Sequence, residues 1–148
     1  MIIKRDKYTI HISDEVLSIL NKYKQDKNQN ESGGIILGSV HKDNHVYISK
    51  ISEPNALDKS SRCGFERDKK TAQIIVDAEF YESDGKVIYL GEWHTHPEKN
   101  PTPSFVDIRM IKQQYKTNKI NERFLILLIQ GVESLYVSVY NGNKITGK

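Results

Sequence analysis

The chain has a single cysteine, Cys63, in 148 residues. No internal disulfide can form, so a reducing cytoplasm is the simplest expected home. It also lacks a surplus of charge of one sign. Its 22 Lys and Arg stand against 19 Asp and Glu, a net of +3, with no concentrated basic stripe, so nucleic acid is not expected as a partner. Long hydrophobic runs are missing too. The longest, Phe124-Leu-Ile-Leu-Leu-Ile129, is far short of the roughly 20 apolar residues that span a membrane. The opening MIIKRDKYTIHI has no apolar stretch after its basic residues, so no signal peptide is expected. Neither an internal repeat nor a low-complexity tract is present. What is there suits a single soluble domain over 1–148, 28% charged and 37% hydrophobic, long enough to bury a core.

Periodicity supplies the elements. Ser13 caps an amphipathic helix over about 14–26, with Asp14 and Glu15 in its first turn and Val16, Ile19, Leu20 and Tyr23 on one face. Residues 34–40 read as a buried strand and 45–51 as its alternating neighbour, with Asp43-Asn44 in the turn. Residues 53–66 read as irregular. A second helix is predicted over about 67–83, with Ala72, Ile75, Val76 and Phe80 inward. A strand follows over 86–93, then a loop from Pro97 to Pro103 and a helix from Ser104 to about Tyr115. Residues 124–130 and 135–140 read as a closing hairpin. Helices interspersed with strands predict the α/β class, a central mixed β-sheet flanked by helices.

The densest chemistry lies in His94-Thr-His96-Pro97 and Pro103-Ser104-Phe-Val-Asp107. In a strand, residues i and i+2 share a face, so His94 and His96 project together from a strand end. Asp107 falls in the first turn of the next helix, where a carboxylate is favoured by the dipole and can aim back at the strand. Two imidazoles and a carboxylate are the donor set of a catalytic zinc with one position left for water. Glu31, just before the strand at 34–40, is the candidate general acid/base. Ser104 is both a helix cap and a candidate donor to a developing oxyanion.

The residues around these ligands carry weaker readings. Glu92 shares the ligand face and is a candidate partner for a ligand imidazole. Trp93 faces the other way and reads as core packing rather than a substrate contact. His11, His41 and His45 read as surface or strand residues rather than ligands, and Cys63 as a loop cysteine. Segment 53–66, with Arg62, Phe65 and nearby Arg67, is either a connecting loop or a substrate-gripping one.

Glu31, His94-x-His96-Pro97, seven residues, then Ser104-x-x-Asp107 resembles the JAMM motif of the JAB/MPN (Mov34/PAD-1) metalloproteases. The context Glu31-Ser-Gly-Gly34 and the lead-in Gly91-Glu-Trp93 are similar to those of bacterial stand-alone JAB proteins, and the resemblance runs over about residues 10–140. It implies a cytidine-deaminase-like α/β fold. It implies Zn2+ on His94, His96 and Asp107, Glu31 as general acid/base and Ser104 supporting the oxyanion. It further implies a metallo-isopeptidase whose partner is a protein with a ubiquitin-like or extended C-terminal tail, in a setting of antiphage conjugation of a cyclic-oligonucleotide synthase. Sulfur-carrier processing and a metal-free scaffold are the alternatives.

Overall fold

The computed structural model describes residues 1–118, 120 and 122–148. Among the described residues, ten strands and three α-helices follow in the order β1 (Ile2–Arg5), β2 (Tyr8–Ile12), α1 (Asp14–Lys22), β3 (Gly33–His41), β4 (His45–Ile51), β5 (Lys59–Ser61), β6 (Gly64–Glu66), α2 (Lys69–Glu82), β7 (Ile88–Thr95), α3 (Phe105–Thr117), β8 (Leu125–Gln130), β9 (Leu135–Tyr140) and β10 (Ile145–Gly147), with a short 3-10 turn over Lys42–Asn44. Eight strands form one sheet in the order β1-β2-β4-β3-β7-β8-β9-β10. The β2–β4 and β7–β8 pairs are parallel and the rest antiparallel, so the sheet is mixed, as expected. The remaining two strands, β5 and β6, make a separate hairpin.

Helices cover both faces. Val16 and Leu20 of α1 pack with Ile10, Ile12, Val46 and Ile48 in a cluster that extends through Leu90, Trp93, Ile126 and Leu128. The opposite face carries Ile35 and Leu37 under Ala72 of α2, and Leu125, Leu127 and Ile129 under Ile111 of α3. Every residue of β8 is buried, which is why its sequence reads as an unbroken apolar run rather than an alternation. Gly91 has φ 153, and a Cβ there would run into the backbone of Ile126, so glycine alone lets β7 approach β8 at this point. Among the described residues, no helix is long and apolar enough to cross a membrane.

Several boundaries differ from expectation. The N-terminal residues form the β1–β2 hairpin, turned at Asp6 with φ 53, a conformation that Asp tolerates better than most residues. Helix α1 stops at Lys22, because the following Gln25 side chain is buried and bonded to the carbonyls of Gln29 and Arg62. Segment 53–66 contains the β5–β6 hairpin. Helix α2 starts later, capped by Asp68, whose carboxylate accepts from the Thr71 amide at 2.9 Å. Phe80 is 46% exposed rather than inward. Strand β7 runs on to Thr95 and so includes His94.

Candidate metal centre

The histidines are placed by the sheet. β7 lies between β3 and β8, with His94 opposite Gly33 on one side and Ile129 on the other. The His96 amide donates to the Gln130 carbonyl at 3.0 Å, so the chain stays extended until Pro97 ends it. His94 and His96 therefore share the face of α2 and α3, and their Nε2 atoms stand 3.2 Å apart. Trp93 takes the opposite face, 1% exposed, and its indole N–H donates to the Ser52 carbonyl at 2.9 Å.

Glu31 approaches from the start of β3. Its amide donates to the Ser61 carbonyl at 2.7 Å, which fastens the segment to the β5–β6 hairpin. Next to it, the Ser32 amide donates to Thr95 Oγ1, and Thr95 donates in turn to Gln25 Oε1. Gly33 must be a glycine. A Cβ there would meet the Phe65 ring at 2.6 Å, so the hairpin closes directly over the strand that faces His94.

Asp107 is delivered by a capping box at the start of α3. The Asp107 amide donates to Ser104 Oγ at 3.1 Å, and the Ser104 amide donates to Asp107 Oδ2 at 2.8 Å, satisfying two helix-terminal donors reciprocally. The carboxylate reaches both histidines, Oδ1 to His94 Nε2 at 3.1 Å and Oδ2 to His96 Nε2 at 3.1 Å. Glu31 Oε1 stands 3.8 Å from His96 Nε2. All four groups are buried.

The donor set fits a tetrahedral dication. Bonds of about 2.0–2.1 Å to such an ion hold its ligands roughly 3.3 Å apart, close to the separations among His94, His96 and Asp107. Glu31, His94 and His96 also offer donor atoms within 4.8 Å of one another. Of the two carboxylates, Asp107 meets both imidazoles at shorter distance. Electrostatics point the same way. Burial works against an imidazolium at His96, yet Asp107, Glu31 and Glu98 outweigh it and raise its pKa, so the pocket favours a cation. Burial opposes charge on Asp107 too, but His94, His96 and the Ser104 amide hold its carboxyl well below the usual range. Glu31 goes the other way. Burial pushes it up to about 7, against the pull of His96 and with help from Asp107 and Glu98. A carboxyl titrating near neutrality is matched to general acid/base work.

Three features were not legible in the sequence. Gln25, 3% exposed, ties the loop before Glu31 to Thr95 and to the hairpin. His96 Nδ1 is buried with no hydrogen-bond partner among the described residues, and Glu98 Oε2 is 3.8 Å away, within reach of a small side-chain movement. Glu92 does not pair with a ligand imidazole. It accepts from Arg67 Nε at 2.8 and 3.1 Å and from the Tyr89 hydroxyl at 3.1 Å, while Arg67 also donates to Gln114 of α3. Cys63 is exposed in the turn of the β5–β6 hairpin and outside the cluster.

A model of the prokaryotic homologs of the JAB domain matches residues 13–141. The chain belongs to the prokaryotic JAB family. This JAB domain is 38% identical over 127 residues to a "CD-NTase/cGAS isopeptidase" of Escherichia coli (strain TW11681), covering 85% of this chain and 78% of that one. It is 35% identical over 135 residues to a protein of the same name from Pseudomonas aeruginosa (strain BWHPSA011 / Pa011), covering 90% and 84%. A "Probable metalloprotease y4qB" of Sinorhizobium fredii (strain NBRC 101917 / NGR234) is 27% identical over 107 residues, covering 70% and 65%. The solution structure of protein DSY2949 from Desulfitobacterium hafniense superposes with a TM-score of 0.67 at 17% identity, covering 94% of this chain and 89% of that one, which makes the fold a shared one.

Proposed function

We propose that this JAB domain is a zinc-dependent isopeptidase, one catalytic domain acting in the cytoplasm. The observation that carries the reading is the meeting of two imidazoles and two carboxylates at one buried strand end, at separations of 3.1–3.8 Å. The names of its relatives supply the bond type. On that basis the substrate is an isopeptide joining a CD-NTase/cGAS-type protein, or a ubiquitin-like tail, to its target.

His94, His96 and Asp107 would hold the zinc. When bound, zinc supplies Lewis acidity, which polarises a carbonyl and lets water ionise near neutral pH. The chain's own groups do the proton work. Glu31 takes a proton from the attacking water as the new C–O bond forms at the scissile carbonyl. It then delivers that proton to the departing lysine amine as the C–N bond breaks, so one water is consumed and an acid and an amine are released. Ser104 Oγ accepts from the Asp107 amide, which directs its own proton outward, where it can donate to the oxyanion. Ser104 is exposed while its partners are buried, as a group at the substrate side of the site must be.

The direct test is cleavage of a purified CD-NTase conjugate by zinc-loaded protein, followed by mass spectrometry. Release of both intact partners is expected, lost by on the order of 10³-fold or more in Glu31→Gln with zinc retained. Equal cleavage by Glu31→Gln would remove this carboxylate from the mechanism. No cleavage of any isopeptide-linked conjugate by the zinc-loaded wild type would overturn the reading.

A further inference from the structure

The chain has five histidines, and the three outside the metal centre converge at one place. His11 lies on β2, His41 at the end of β3 and His45 at the start of β4. All three surround Tyr47, 41% exposed on the sheet face that no helix residue in the apolar clusters covers at this end. β3 begins opposite His94 and ends at His41. At about 3.3 Å per residue, the two sites are therefore roughly 25 Å apart.

We infer that His11 and His45 form a second transition-metal site, selective for Cu2+. His11 Nε2 and His45 Nδ1 stand 2.8 Å apart in a ring N–H···N hydrogen bond, and an ion bound by both nitrogens would take the place of its proton. Two cis ligands at about 2.0 Å from a square-planar or tetragonal ion are separated by roughly 2.8 Å, whereas a tetrahedral ion would spread them to roughly 3.3 Å. The hydrogen bond sets the separation seen here, so the preference for Cu2+ over Zn2+ rests on the Irving–Williams order. The rings are already positioned. His11 stacks on Tyr47 at 4.2 Å with planes 7° apart, and backbone pairing of β2 with β4 fixes the two strands in register. Little side-chain freedom remains to be lost on binding.

The surroundings limit the ion. The hollow beside the pair is lined by Ser39, His41, Lys42, His45 and Tyr47, which gives hard cations no carboxylate to bind. Lys42 adds positive charge, which only a strong metal–imidazole bond offsets. His41 is turned toward Ser39, its Nε2 2.9 Å from Ser39 Oγ. Among the described residues, no third His, Cys, Asp or Glu atom joins the pair within 4.8 Å of both. The ion would keep water in its other positions.

The test is titration of the zinc-loaded protein with Cu2+ alone at pH 7.5, followed by electron paramagnetic resonance. A tetragonal Cu2+ signal with two-nitrogen coupling is expected, weakened at least tenfold in affinity in His11→Ala and in His45→Ala. His41→Ala is expected to change it by less than threefold. Copper entering the first site gives a signal common to all variants and is subtracted. Failure of that site to take zinc leaves the His11-dependent signal unchanged, so the two claims fail separately. Absence of any His11- and His45-dependent signal below 100 µM Cu2+ would overturn the inference. So would copper lost only on acetylating the Met1 amine.

Discussion

Ser104 and Asp107 hold each other through two hydrogen bonds, and only one of them uses the Ser104 side chain. The Ser104 backbone amide donates to Asp107 Oδ2 at 2.8 Å, while Ser104 Oγ accepts from the Asp107 amide at 3.1 Å. The device that starts α3 therefore also orients the carboxylate that meets His94 and His96.

That division makes Ser104→Ala informative. The amide-to-carboxylate bond survives, so zinc affinity should change by less than threefold. Losing the hydroxyl cap should lower stability by about 1 kcal/mol. Losing the oxyanion donor should cost on the order of 10²–10³ in turnover. Ser104→Thr should recover both. Parallel measurement of zinc affinity, melting temperature and turnover checks this, and a loss of zinc binding equal to the loss of turnover would argue against the oxyanion role.

Glu31 should make the metal-free protein less stable as pH rises. Its folded pKa, about 7, lies above the ordinary 4.5. A carboxyl raised on folding favours the protonated form, so its contribution is fully present below about 4.5 and is lost as pH climbs through 7. Glu31→Gln removes that loss. In EDTA, the variant should match wild type near pH 4.5 and exceed it at pH 8 by on the order of 1–3 kcal/mol. Urea unfolding at the two pH values measures the difference, and a pH-independent offset would contradict the assignment.

Arg67 and Glu92 form an ion pair with side chains 14% and 5% exposed, joining α2's leading edge to β7 two residues before His94. Burial raises the Glu92 carboxyl while Arg67 pulls it back. Arg67→Ala strands that carboxyl and should cost about 3–5 kcal/mol. Replacing both, Arg67→Met with Glu92→Leu, should recover most of the stability, since two charges no longer need to be desolvated. Thermal melts of the single and double variants decide it. A double variant no more stable than Arg67→Ala would show that the pair's worth is not a matter of desolvation.

The same buried pair shows where sequence reading stops. His94, His96, Ser104 and Asp107 were legible because strand and helix periodicities place them within one local unit, and β4, β8 and β9 because their patterns are strong. The partner of Glu92 is 25 residues away across an element boundary, and no local pattern pairs them. Gln25 looks like part of a polar run after α1, yet Thr95, 70 residues on, fixes its orientation. The β5–β6 hairpin has three-residue strands that are exposed or half-exposed, too short and too polar for alternation to register. Phe80 sits at helical spacing with Ala72 and Val76, but α2 meets the sheet mainly through its first half, leaving the ring near the helix end half-exposed beside Gly85.

The central claim is that His94, His96 and Asp107, rather than Glu31, hold the metal. Zinc content by mass spectrometry, on untagged protein loaded with zinc and desalted, tests it most directly. Wild type and Glu31→Gln should each carry about one zinc per chain, and His94→Ala, His96→Ala and Asp107→Ala should each carry little. Full zinc in Asp107→Ala together with loss in Glu31→Gln would exchange the two carboxylates, and a wild type that holds no zinc would contradict the account.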